Sequence, residues 1–184
     1  MTIPVWYVFG LLVLWILQFV LFRPKAQSTP VKTAPNARWG ILLQALGYWA
    51  IFLPAGTYWA KPLPVWRLAA GIALGLAGIW LASAGVRHLG KQWRVSAALN
   101  SDHKLITSGP YRIVRHPIYA SMFAMNIMSA LLLGRLPWWP IGIALFVAGL
   151  EIRVHVEDTL LRDRFGSRFE EWKAQVPAYL PPIR

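Results

Sequence analysis

The sequence predicts an all-α integral membrane protein with about five transmembrane helices. The last two form a helical hairpin, and a cytoplasmic amphipathic C-terminal helix follows them. Only 14% of the 184 residues are charged and 57% are hydrophobic, whereas soluble domains carry about 25% charged residues. Several apolar runs also approach the ~20 residues that a helix needs to cross a bilayer. We therefore expect one membrane domain over residues 1–184, with two spans in 1–64 and the third span, a polar loop, the hairpin and the C-terminal helix in 65–184.

The two N-terminal spans are predicted from apolar length. The run Ile3–Phe22 has no charge before it and no small-residue cleavage site after it, so it is expected to remain as a span rather than to act as a signal peptide. A polar linker with three prolines and four cations, Arg23–Arg38, follows it. The run Trp39–Trp59 predicts the second span, and Pro54 is expected to kink that helix or to end it early.

The remaining elements are predicted from spacing and turn composition. The third span, roughly Trp66–Val86, contains small residues at intervals that let membrane helices pack closely, namely Gly71, Gly75 and Gly78. The apolar runs Ile118–Leu133 and Pro137–Ile152 flank the tight-turn sequence "GRLP", which predicts a hairpin. In Arg153–Ala174, apolar residues recur every three or four positions, which predicts a separate amphipathic helix, with Gly166 capping a helix end. The tail "VPAYLPPIR" is too rich in proline for a helix.

The charge distribution predicts an orientation in the membrane. The chain has 19 Lys and Arg against 7 Asp and Glu, a net charge of +12. The cations lie between or beside the apolar runs, as the positive-inside rule requires of cytoplasmic segments. Five spans with the N-terminus outside place all the basic segments in the cytoplasm, and the short chain favours a bacterial inner membrane. Because no basic helix carries interleaved aromatic residues, we expect the lipid bilayer, and not nucleic acid, as the partner.

Missing residue types narrow the chemistry further. The chain has no cysteine, which excludes disulfides, thiolate catalysis and cysteine-ligated metals. Its four histidines show no ligand spacing, so no metal site is expected. The sequence does not determine the oligomeric state.

Two polar clusters flank the predicted hairpin. Arg115, His116 and Tyr119 lie at its start, and Arg153 and Glu157, followed by Asp158, lie at its end. Because the two ends of an antiparallel hairpin meet, these clusters are expected to face each other. Ionisable groups at membrane depth are costly and usually mark a site. Simpler roles also fit: Arg153 and Glu157 are four residues apart and could form an ion pair, His116 could brace a turn, and Tyr119 could lie in the interfacial aromatic belt.

The two clusters resemble those of the isoprenylcysteine carboxyl methyltransferase family. The resemblance is carried by "LITSGPYRIVRHPIY" (Leu105–Tyr119) and by "RVHVEDTLLRDRFG" (Arg153–Gly166), which contain an R-H-P-x-Y and an R-x-x-x-E-[ED] motif. It extends from about Leu89 to Pro182, roughly half of the chain, and the related phospholipid amine methyltransferases share the general plan. Asp158 departs from the more usual second glutamate. The first two spans carry no recognisable signature.

The resemblance implies a membrane methyltransferase whose catalytic core lies in 65–184 and which uses S-adenosylmethionine, releasing S-adenosylhomocysteine. No G-x-G-x-x-G motif of a soluble nucleotide-binding fold is present. By resemblance, Arg153 would face the methyl acceptor and Arg115 would help to hold the substrate or the pocket. The residues that would form the cofactor pocket are His103, Lys104, Leu105, Ile106, Tyr111, His116, Pro117, Ile118, Tyr119 and Glu157.

The acceptor is expected to be a lipophilic small molecule or a lipidated substrate that enters from the bilayer. A carboxylate acceptor is already ionised at neutral pH and needs no base, and Arg153 could grip it through two hydrogen bonds. An amine or thiol acceptor would need a base, for which Glu157, Asp158 or His116 could serve. Two alternatives remain from the sequence: an NADPH-dependent sterol-type membrane reductase with a similar motif, and a non-catalytic lipid-binding membrane protein.

Overall fold

The protein is a bundle of six helices within the part of the chain that the computed structural model describes. The described residues are 5–22, 30–34, 36–53, 62–94, 98–100, 103–135 and 137–180. The helices are α1 (Val5–Leu21), α2 (Ala37–Phe52), α3 (Val65–Leu89), α4 (Pro117–Leu133), α5 (Trp138–Phe165) and α6 (Ser167–Gln175). Single turns of 3₁₀ helix lie at Gly90–Gln92 and Gly109–Arg112.

The three N-terminal helices form where the apolar runs predict them. Helix α1 lies within the predicted first span, and α3 extends the predicted third span by one residue at its start and three at its end. Helix α2 ends at Phe52, earlier than the predicted Trp59. The kink or stop expected at Pro54 lies outside the described residues.

The hairpin forms as predicted, but its second arm is longer. Helix α5 runs without a break from Trp138 to Phe165, so the separate helix expected to begin at Arg153 is wrong. The change from apolar to charged residues at Arg153 alters the surroundings of the helix and not its backbone, because no proline or turn sequence lies there. Gly166 ends α5 at φ 55°, as expected of a helix cap. Helix α6 follows directly, and Val176–Leu180 is not helical.

A short pair of strands is the one departure from the all-α prediction among the described residues. Strand β1 (Pro30–Thr33) pairs antiparallel with β2 (Ala98–Asn100), with Thr33 opposite Ala98. β1 follows α1 and β2 follows α3, and in an up-and-down bundle these two helices end on the same side. Two polar linkers on the same side of the bundle can form hydrogen bonds between their backbone N–H and C=O groups. The polar composition of the linkers does not by itself predict this strand pairing.

Glycines set the distance between the helices that carry the site. Helix α2 packs most extensively on α5, and α3 on α4. A Cβ atom built on Gly40 of α2 would lie 2.5 Å from the carbonyl oxygen of Gly149 in α5, and one on Gly47 would lie 2.6 Å from that of Gly142. The α3 glycines Gly71, Gly75 and Gly78 face Leu132, Met128 and Met125 of α4. Their predicted packing role is therefore confirmed.

Two of the described helices are long and apolar enough to cross a membrane by length and composition. They are the segments Val65–Gln92 and Trp138–Phe165, and the apolar helices α1 and α4 are shorter. Large hydrophobic side chains such as Trp6, Trp66 and Trp80 are exposed on the surface of the bundle. An exposed apolar surface of this kind is expected of a protein that meets lipid.

The close α2–α5 contact predicts a steric effect that can be measured. Gly47→Ala should destabilise the protein by about 1–3 kcal/mol, because a methyl group at this position overlaps backbone of α5 that cannot move aside. Gly10→Ala is the matched control, since a Cβ atom built on Gly10 of α1 would have nothing within 4 Å of it, and alanine is the better helix former. Thermal unfolding in detergent should show a lower Tm for Gly47→Ala and an unchanged or higher Tm for Gly10→Ala. Equal shifts would contradict the close contact.

Candidate active site

A cavity of about 440 Å³ lies among α1, α2, α4, α5, α6 and the segment that joins α3 to α4. All the residues that the sequence predicts for the site line this one cavity. They are His103, Lys104, Leu105, Ile106, Tyr111, Arg115, His116, Pro117, Ile118, Tyr119, Arg153 and Glu157. The predicted meeting of the two ends of the hairpin is thus present in the structure, while the role of each residue stays a prediction.

Asp158 is the centre of a buried charge cluster behind the cavity. Its Oδ2 lies 3.1 Å from Nη2 of Arg115 and 3.1 Å from Nζ of Lys173, and its Oδ1 lies 2.9 Å from Nε2 of His116. The side chain is 7% exposed. One carboxylate therefore joins the start of α4, the C-terminal third of α5 and the end of α6.

Arg115 is used mainly to hold the polypeptide together. Besides Asp158, its guanidinium donates through Nη1 to the carbonyl oxygens of Val176 at 2.8 Å and Lys173 at 3.2 Å. The backbone N–H groups of Arg115 and His116 donate to the carbonyl oxygens of Pro177 and Ala178, both at 2.8 Å. The segment after α6 thus braces the turn at the start of α4. Of the two roles expected for Arg115, this geometry favours holding the pocket.

Arg153 of α5 lies deep in the bundle and contacts two other helices, α2 and α4. Its Nη1 donates to Oε1 of Gln44 in α2 at 2.9 Å, and its guanidinium carbon lies 4.7 Å from the ring centroid of Tyr119 in α4. Its Nη1 is also 3.9 Å from the sulfur of Met122. The residue is only 7% exposed. Arg153 is therefore a buried residue held by both α2 and α4, and not a surface residue.

Glu157 lies one helical turn beyond Arg153 on the same face of α5. Its side chain is 37% exposed, and its Oε2 lies 3.8 Å from Nδ1 of His116. The His116 ring in turn stacks on Tyr119, with centroids 5.4 Å apart. The cavity is therefore lined by the buried guanidinium of Arg153 and, one helical turn further along α5, by the more exposed carboxylate of Glu157. The stacked rings of His116 and Tyr119 lie beside these two groups.

The segment before α4 forms the remaining wall. The backbone N–H of Lys104 donates to Oε1 of Gln92, and Leu105 packs against the apolar cluster that α5 and α6 form around Phe169. Burial raises the pKa of the Tyr111 phenol well above its usual value, and the negative charge of Glu157 raises it further. Tyr111 serves this wall as a buried aromatic ring with one hydroxyl group.

The N-terminal helices contribute lining residues that the sequence motifs did not indicate. They are Trp15 and Phe19 of α1 and Ile41, Gln44, Ala45 and Tyr48 of α2. Most are ordinary apolar residues of a membrane helix, so no pattern distinguishes them. Gln44 is different, because a polar side chain within an apolar membrane helix often marks a functional site. The sequence therefore contains a signal that could have identified Gln44 as a site residue. Within the described residues, no group of three or more His, Cys, Asp and Glu side chains is placed to hold a metal ion.

Comparison with known proteins assigns the chain to a family. The family described as isoprenylcysteine carboxyl methyltransferase (ICMT) matches residues 71–163, half of the chain. The chain belongs to this family. The matched segment contains the turn at the start of α4 and both Arg153 and Glu157, but it does not include α1 or α2.

Individual relatives agree with this assignment. The protein-S-isoprenylcysteine O-methyltransferase of Schizosaccharomyces pombe is 29% identical over 108 residues, which cover 58% of this chain and 46% of that protein. The protein of the same name from Rattus norvegicus is 30% identical over 122 residues, covering 65% and 43%. This chain thus matches less than half the length of these relatives. A solved structure of the eukaryotic intramembrane Ras methyltransferase ICMT shares the fold, with a TM-score of 0.65 and 21% identity over 100% of this chain and 69% of that chain.

Proposed function

We propose that this chain is a membrane-embedded methyltransferase that transfers the methyl group of S-adenosylmethionine to the carboxylate of a lipophilic, isoprenylcysteine-type acceptor. One observation carries the proposal: Arg153 and Glu157 line the same cavity one turn apart on α5, the first buried among membrane helices and the second near the polar loop. The names of the relatives support the reaction class. The buried cation supports an anionic acceptor.

The size and the chemistry of the cavity support S-adenosylmethionine as the methyl donor. Its volume of about 440 Å³ is in the usual range of small-molecule sites. Glu157 could accept hydrogen bonds from an ammonium or a ribose, while Leu105, Ile106 and Tyr111 offer an apolar and aromatic wall for an adenine. The residues 103–106 and the turn 116–119 would complete the pocket. When bound, the donor supplies an electrophilic methyl group on a sulfonium, so that transfer to a carboxylate neutralises both charges.

The residues of the chain have three tasks in this reaction. Arg153 holds the acceptor carboxylate and fixes the direction of its oxygen, which needs no deprotonation at neutral pH. Glu157 and the surrounding loop fix the donor at the next level of the cavity. Apolar side chains from α1 and α2, including Phe19 and Tyr48, exclude water and border the lipophilic part of the acceptor. Transfer gains most from this combination of alignment and shielding.

The proposal includes a membrane orientation. Five spans with the N-terminus outside would place the charged end of α5 in the cytoplasm, where the basic loops belong. Both interhelical linkers that form the β1–β2 pair would then lie on that side. The bacterial inner membrane remains the expectation from the sequence, while the matched relatives named above are eukaryotic.

Calorimetric titration of the purified protein tests the reaction class. We expect saturable, micromolar binding of S-adenosylhomocysteine and no binding of NADPH, because the cavity offers Glu157 to an ammonium or ribose. Binding of NADPH alone would overturn the proposal in favour of a membrane reductase. Binding of neither would overturn it in favour of a non-catalytic lipid-binding protein.

A further inference from the structure

Gln44 is a buried polar side chain of α2 that faces the cavity beside Arg153. It is 5% exposed, and it lies between Gly40 and Gly47, the two glycines that bring α2 against α5. The close approach of these helices places Gln44 within hydrogen-bond distance of the guanidinium. Because α2 lies outside the segment matched by the family, nothing in the motifs assigns this residue a role.

The hydrogen bond to Arg153 determines which way the amide of Gln44 points. A guanidinium only donates, so the atom 2.9 Å from its Nη1 must be the carbonyl oxygen Oε1. The amide nitrogen Nε2 is then the group of Gln44 that remains as a donor. Among the described residues, this buried nitrogen has no hydrogen-bond partner. A buried donor without an acceptor is unfavourable, and in native proteins such a group calls for a specific explanation, of which a catalytic or ligand-binding role is one.

We infer that Gln44 is a second anchor for the acceptor, and that its Nε2 donates a hydrogen bond to the carboxylate held by Arg153. This inference rests on the proposed function and adds a specificity-determining residue to it. A carboxylate offers two oxygens with lone pairs, so one can be gripped by the amide and the guanidinium while the other remains available for the methyl group. The methyl ester product keeps no negative charge and one good acceptor oxygen, so the same clamp holds it less strongly and favours its release.

Binding of the acceptor, measured apart from turnover, tests this clamp. The probes are an N-acylated S-farnesylcysteine with a free carboxylate and its methyl ester, each titrated into protein saturated with S-adenosylhomocysteine. Wild-type protein should bind the acid more tightly than the ester. Gln44→Met, which keeps the volume and removes both polar groups, should weaken binding of the acid by about ten- to hundredfold and binding of the ester clearly less, because a hydrogen bond to a neutral carbonyl oxygen contributes less than one to a carboxylate.

Gln44→Glu separates direct contact from mere support of Arg153. The glutamate keeps an oxygen that accepts from Arg153, but it removes the donor and brings a negative charge to the acceptor. If Gln44 contacts the carboxylate, Gln44→Glu should bind the acid more weakly than Gln44→Met does. If it binds the acid as well as wild type, Gln44 only orients Arg153 and the inference is overturned. Equal losses for acid and ester in Gln44→Met would overturn it as well, since they indicate general damage to the cavity.

Two controls complete the experiment. Gln18→Met replaces a glutamine of α1 whose oxygen accepts from Ser83 and whose nitrogen donates to the carbonyl of Leu14, and it should bind both probes like wild type. Binding of S-adenosylhomocysteine should be unchanged in all three variants, which shows that the cavity is folded. Failure of the wild type to bind that nucleoside would overturn the proposed function itself, whereas normal nucleoside binding with an unchanged acid affinity in Gln44→Met would overturn only the role of Gln44.

Discussion

Glu157→Ala should abolish measurable binding of S-adenosylhomocysteine, whereas Arg153→Ala should leave that binding intact and lower kcat/KM at least a hundredfold. Both residues line one cavity on one face of α5, yet the proposal gives them different ligands. Loss of the carboxylate removes the acceptor for an ammonium or a ribose. Loss of the buried guanidinium removes the group that holds the carboxylate of the substrate, and truncating one partner of a buried charged pair typically costs several kcal/mol.

The comparison needs calorimetry for the nucleoside and initial rates for the methyl transfer. Glu171→Ala and Arg168→Ala, which change exposed residues of α6, are matched controls and should resemble wild type in both measurements. Arg153→Lys should recover part of the lost activity at most, because an ammonium keeps the charge but not the two-pronged geometry. An Arg153→Ala protein that loses nucleoside affinity as fully as Glu157→Ala does would show that the two residues hold the same ligand, contrary to the proposal.

Asp158→Ala should destabilise the protein by about 3–5 kcal/mol, since it leaves buried Arg115 without its carboxylate partner. Asp158 also contacts His116 and Lys173, so its removal leaves three groups that bear or can bear positive charge close together. The turn at the start of α4 would lose one of its braces, and the affinity for S-adenosylhomocysteine should fall with it.

Thermal unfolding in detergent and nucleoside titration measure both effects of this substitution. Asp163→Ala, which changes an exposed carboxylate five residues further along α5, should alter stability by no more than about 0.5 kcal/mol. Asp158→Asn keeps an acceptor oxygen for His116 or Arg115 and should fall between the alanine variant and wild type. A fully stable Asp158→Ala protein would mean that the cluster does not support the fold.

The sequence predicts the site largely because a hairpin brings its own ends together. The residues Arg115, His116 and Tyr119 and the residues Arg153 and Glu157 carry recognisable motifs, and their meeting follows from two apolar runs and a tight turn. The fold of α1 to α4 is likewise indicated by apolar length, since a membrane helix satisfies its own backbone hydrogen bonds. These features depend on local composition and connectivity, which a sequence shows directly.

Other features depend on contacts between segments that are distant along the chain. The hydrogen bond between Gln44 and Arg153 joins residues 109 positions apart. It depends on glycines of α2 that face glycines of α5, and composition alone does not show which glycines meet. Asp158 looks like a member of the catalytic motif, but its position on the helix turns it to Arg115 and Lys173. The sequence does not predict that α5 continues past Arg153, because the side chains become polar at this point. The helix propensity of the residues does not change there, so the backbone stays helical.

The uninterrupted course of α5 also affects how the protein would respond to its lipid surroundings. At 28 residues the helix is about 42 Å long, against about 30 Å for the hydrocarbon layer. Arg153 and Glu157 lie on one continuous helix, so a thinner or thicker bilayer tilts or shifts both together and leaves the spacing between these two residues unchanged. Turnover in vesicles of different acyl-chain length should therefore vary through substrate delivery and protein insertion. The relative position of Arg153 and Glu157 should not change with the thickness of the bilayer.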